Sequence, residues 1–179
     1  MKPDIIYLNL SVVEFPNREW DLPKDLVQLS KDNPSFKINW VEGPNTKTMK
    51  KVFPILSLID DEDIILNVDD DFVIPNDYID VRLNEFAEED FRFPISGGSN
   101  PTWHLNLSLY KHVVYNNITA MSIFQKKMLA NYDKLLCDEV IHTYNDDFLY
   151  TMLMISNGYW ILPSKKISAH KGYARRNMV

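Results

Sequence analysis

The 179-residue chain predicts an α/β fold: a mostly parallel central sheet with flanking helices in a single domain. Two observations predict it. Short apolar runs rich in β-branched and aromatic residues alternate with amphipathic stretches, in the order strand, helix, strand, helix, strand. That order produces parallel strands joined by crossover helices. The third run, "DIILNV" at 63–68, is apolar almost throughout, as a strand covered on both faces requires. It ends on three consecutive aspartates, Asp69, Asp70 and Asp71, where sheets of this kind bind their ligands.

Each element has its own signal. "DIIYLNLSVV" (4–13) reads as a buried strand. "LPKDLVQLSKDN" reads as a helix, with Pro23 at its first turn and "DNP" ending it. "FKINWVE" alternates as a second strand, and "GPN" turns the chain. From Thr46, Met49, Val52, Phe53, Leu56 and Ile59 follow helical spacing, kinked by Pro54. After the third strand, "DYIDVRLNEFAEE" is an amphipathic helix, and "FRFPI" and "WHLNLSLYKHVV" are strands flanking "SGGSNPT". "AMSIFQKKMLANYDKLL" and "DDFLYTMLMISN" read as helices, the latter with Phe148, Leu149, Met152 and Leu153 on one face. "GYWIL" and "KISAH" close the sheet.

Charge narrows the function. A formal net charge of −6 argues against a general nucleic-acid binder. The last fifteen residues nevertheless carry Lys165, Lys166, Lys171, Arg175 and Arg176 with no acid. Such a tail is either a frayed terminus or a contact for a diphosphate or an anionic membrane surface. A single cysteine, Cys137, precludes an intramolecular disulfide and fits a reducing compartment. No run approaches the roughly 20 apolar residues of a membrane span, so the expected location is the cytoplasm.

Three adjacent carboxylates repel one another. They are either solvated in a turn or neutralised by a divalent cation, which prefers hard oxygen ligands. An EF-hand is excluded because Val73 and Ile74 stand where the loop needs a further acid or amide and then glycine. A phosphatase of the D-x-D-G-T type is excluded by Phe72 and Val73, and no phosphate-binding glycine loop exists. The reading left is a DxD site holding Mn²⁺ or Mg²⁺ against a nucleoside diphosphate.

With "NLSVVEFPNRE" (9–19), "EGPNTKTMKKVFPIL" (42–56), "DIILNVDDDFVIP" (63–75) and "YNDDFLYTMLMISNGYWIL" (144–162), the chain resembles GT-A-type glycosyltransferases that use nucleotide sugars. The order and rough spacing of these motifs are similar over nearly the whole length. The resemblance implies a GT-A, Rossmann-like domain, with a nucleotide part over about 1–75 and an acceptor part over about 76–179. It implies a UDP-sugar donor, a saccharide acceptor and an inverting transfer. Asp71 would bind the metal, with Asp69 on ribose or metal and Asp70 beside it. Thr46 and Lys47 would approach the diphosphate, and Arg18 the base. Lys47 reads equally as a surface lysine. His170 would complete the metal site, and Lys171 would lie over the diphosphate.

The pair Asp146–Asp147 is either a first-turn complement to a helix dipole or, as the resemblance implies, the acceptor-facing base. Trp103 is a core aromatic or a sugar platform. Two rival functions fit less well: a silent nucleotide-sugar or metal-binding module, and a sugar-nucleotide nucleotidyltransferase. The second wants glycines in the first loop, which "SVVEFPNRE" lacks.

Overall fold

The computed structural model describes residues 1–69, 74–97, 103–104, 114–115, 118, 121–135 and 145–165. The chain is mixed α/β and divides into two compact units, Met1–Ile59 and Asp60–Val179.

In the first unit, β1 (Ile6–Ser11) and β2 (Phe36–Val41) pair in parallel, from Ile6 opposite Phe36 to Ser11 opposite Val41. The crossover is α1 (Lys24–Asp32), entered from Pro23, whose fixed φ suits a helix start. It stops at Asn33, whose backbone and side-chain amides both donate to the Leu29 carbonyl. The helix expected from Thr46 forms instead as two 3-10 turns, Lys47–Lys51 and Phe53–Ile55. Val52, at φ −124°, separates them, and Pro54 has no N–H to bridge the break. Because i and i+3 eclipse in a 3-10 turn, the same spacing still turns Met49, Val52 and Ile55 inward. With Phe53 and Leu56 they are buried and form the core of this unit.

In the second unit, the sheet has the order β3–β7–β4–β8. Its strands are β3 (Ile64–Leu66), β4 (Ile95–Ser96), β7 (Ile123–Gln125) and β8 (Leu162–Pro163). β7 is antiparallel to β3 and to β4, and β4 is parallel to β8. Thus β3, β4 and β8 run one way and β7 the other. The sheet is mixed rather than mostly parallel, since β3 takes an antiparallel neighbour. A separate pair, β5 (Trp103–His104) and β6 (Val114–Tyr115), is antiparallel.

β7 corrects the helix expected over 120–136. Ile123 and Phe124 are fully buried and Gln125 nearly so, because β7 lies between two strands and is covered on both faces. Left-handed Met121 and Asn131 bracket the stretch, and the residues between Gln125 and Leu135 form 3-10 turns. The acid run before β3 is answered across this pairing. Lys126 meets Asp61 at 3.2 Å, Lys127 meets Glu62 at 2.7 Å, and Gln125 donates to the Glu62 carbonyl.

α2 (Tyr78–Glu88) packs Tyr78 with Met121, Leu66 and Val68, and its Tyr78 hydroxyl donates to the Met121 carbonyl at 2.8 Å. One turn on, the buried Arg82 pairs with Glu85 at 2.8 Å and donates to the Ile95 carbonyl. Glu85 also accepts from Ser164 and from the Lys165 amide, tying α2 to the end of β8. α3 (Asp146–Ser156) buries Asp146, Leu149, Tyr150, Leu153 and Met154. Its inner face therefore differs from the expected one, since Met152 is 45% exposed. "FRFPI" contributes only its last residue to a strand, and "GYWIL" only Leu162, while Trp160 is exposed. "KISAH" lies outside the described residues.

Candidate functional site

The direction of α3 follows from two contacts. In its last turn, Asn157 donates to the Met128 and Ala130 carbonyls, in the segment leaving β7. In its middle, the Thr151 hydroxyl accepts from the Ile118 amide, in the segment entering β7. Its first turn therefore projects toward the entry end of β7. Because β7 is antiparallel to β3, that is also the exit end of β3, where Asp69 stands. The exits of β4, at Gly97, and of β8, at Lys165, lie at this end too. So Asp69 and the Asp146–Asp147 pair share one end of the second unit.

At α3, Asn145 is the cap: its side chain accepts from the Phe148 amide at 3.0 Å. The aspartates are therefore not needed for that task. Asp146 is 4% exposed and shares the inner face with Leu149, Tyr150 and Leu153. Asp147 is half-buried and lies one turn before Thr151, on the side that meets the segment entering β7. Neighbouring helix positions diverge by about 100°, so the two carboxylates face different ways, Asp146 inward.

In the first unit, the sequence-predicted residues sit at the carboxyl ends of β1 and β2. Arg18 pairs with Glu42, and its guanidinium lies over the Trp40 ring, 5.9 Å from the centroid. Asn17, Arg18, Glu19, Trp20 and Trp40 line an open cleft of about 440 Å³. Trp20 and Trp40, which the motifs did not single out, supply flat apolar faces there, and Trp20 is 93% exposed. The signal available was a tryptophan two residues after Arg18, in the segment that follows the first strand.

The loop carrying Thr46 and Lys47 is held by Glu14, another residue the motifs passed over. Glu14 accepts from Asn45 at 2.9 Å and pairs with Lys50. The hydrogen bond from Lys50, then that from Asn45, holds the Glu14 carboxyl below the usual carboxylate range. Gly43, at φ 84°, makes the turn that leads in, and Lys47 is itself left-handed at φ 52°. Its amide donates to Asn45 Oδ1 at 2.8 Å while its side chain stays exposed. The Thr46 hydroxyl is buried and meets no hydrogen-bond partner.

Asp70, Asp71, His170 and Lys171 lie outside the described residues, and so do the side chain of Trp103 and the tail from Lys166. Among the described residues no three His, Cys, Asp or Glu side chains converge on a metal position, and no helix is long and apolar enough to cross a membrane. Asp69, at the exit of β3, offers the hard oxygen donors that Mn²⁺ and Mg²⁺ prefer. No family model matches the chain, and no curated protein matches it.

Proposed function

We propose that this protein is a GT-A-type glycosyltransferase. It would move a sugar from a nucleoside diphosphate sugar, in the first instance a UDP-sugar, to a saccharide acceptor with inversion. The observation that carries this reading is the placement of Asp69 and Asp147 at one end of the second unit. Donor chemistry needs carboxylates that can hold a cation against the diphosphate, and acceptor chemistry needs another that can take a hydroxyl proton.

In this reading Asp69, with Asp70 and Asp71, holds a divalent cation. When bound, that ion offsets the charge developing on the diphosphate. The acceptor oxygen attacks the anomeric carbon, the bond to the diphosphate breaks, and Asp147 takes the hydroxyl proton. Within the first unit, Arg18, Trp20 and Trp40 present a cation and flat faces of the kind on which a nucleotide base stacks.

The test is release of UDP from UDP-sugars in Mn²⁺. A transferase hydrolyses its donor slowly without acceptor and faster with the right one. A module that binds nucleotide without chemistry releases none, and that result would overturn the proposal.

A further inference from the structure

The exit end of the second sheet carries a polar row. The register of β3 and β7 continues one residue past Leu66 and Ile123, where the Asn67 amide donates to the Ser122 carbonyl at 3.0 Å. The pairing of Ile95 with Ile123 likewise brings Ser96 beside Ser122, and the Gly97 amide donates to Ser122 Oγ at 3.2 Å. Directly opposed residues share a face, so Asn67, Ser122 and Ser96 lie side by side. All three are buried.

The face is fixed by alternation. Leu66 and Val68 pack against Tyr78 and Met121 under α2. Asn67, between them, therefore turns to the other side. Asn67 is only 4% exposed, yet its Nδ2 has no hydrogen-bond partner. A buried amide donor without a partner is costly, and one two residues before Asp69 is suited to an oxygen that arrives with a ligand.

We propose that Asn67 determines which donor sugar is used, its Nδ2 donating to a hydroxyl of the transferred sugar. This rests on the glycosyltransferase reading above. Asp69 lies two residues farther along, about 6.6–6.8 Å if the strand stays extended. That span suits a donor whose diphosphate is held near Asp69 through a cation and one of whose sugar hydroxyls reaches Asn67. A site built to pair a hydroxyl discriminates strongly against sugars that place none there.

The experiment measures binding of UDP, UDP-glucose, UDP-galactose and UDP-N-acetylglucosamine, each with Mn²⁺, to wild type, Asn67→Val and Asn67→Thr. The two variants have nearly the same shape and differ in one hydroxyl. The UDP-sugar that wild type holds best should weaken about five- to thirty-fold in Asn67→Val, the weight of one such hydrogen bond. It should be partly restored in Asn67→Thr, while UDP stays within about two-fold throughout. Free Asn67→Val should melt no lower than Asn67→Thr. Equal loss for UDP and UDP-sugar, no loss for either, or a valine variant that melts lower would make Asn67 a structural residue. Failure of wild type to bind any of the four would overturn the glycosyltransferase reading itself.

Discussion

Asp146 and Asp147 are adjacent in sequence and opposite in circumstance. Asn145 caps α3, Asp146 is buried and Asp147 is half-buried, and the proposed function gives Asp147 the acceptor's proton. Asp147→Asn should leave the fold and UDP affinity nearly intact and lower the transfer rate about 10²–10⁴-fold, measured by UDP release with acceptor. Wild-type rates in both Asp146→Asn and Asp147→Asn would remove the pair from the chemistry. Asn145→Ala should cost about 1 kcal/mol of stability, read from denaturant midpoints, because the Phe148 amide loses its partner. Glu14 gives a pH signature. Its folded pKa is depressed by Lys50 and Asn45, so its contribution is present above the unfolded value of about 4.5. That contribution is lost as pH falls through the folded value. The stability gap between wild type and Glu14→Gln should be open at pH 6–7 and closed near pH 2; a gap unchanged by pH would contradict the assignment.

At the scale of elements, the second unit is held by a charged knot under α2. Arg82 and Glu85 are almost wholly buried, and Glu85 also fixes Ser164 and Lys165 beyond β8. Glu85→Ala strands a buried guanidinium and should cost about 3–5 kcal/mol, seen as a large fall in the urea midpoint. A loss below about 1 kcal/mol would mean that water replaces the carboxylate. The sequence showed where β1, α1, β2, α2 and α3 lie, because alternation, Pro23, Asn33 and Asn145 are local signals. It misplaced β7 because "SIFQ" gets its strand conformation from β3 and β4, whose paired positions Ile64–Gln125 and Ile95–Ile123 lie 61 and 28 residues apart. No window of nearby residues carries that information. The antiparallel turn of β3 was hidden for the same reason. The places of Asp69 just after β3 and of Asp147 in the first turn of α3 were legible. The buried amide of Asn67 was not, since an asparagine inside a strand reads as any polar residue until its burial is known.

For the molecule as a whole, the net charge of −6 opposes an anionic donor, so under the proposed function a bound cation and the basic residues from Lys165 onward would be central to affinity. Lys165 is already engaged: its hydrogen bond and charge contact with Glu89 raise its pKa. The most direct measurement is thermal unfolding with UDP, with and without Mn²⁺, on wild type and Asp69→Asn. At about 100 times its dissociation constant, UDP should stabilise wild type by about 2.7 kcal/mol, a rise of several degrees in Tm. The rise should vanish in EDTA and in Asp69→Asn. No shift in wild type with Mn²⁺, or the same shift in EDTA, would contradict a metal-held diphosphate donor at the end of β3.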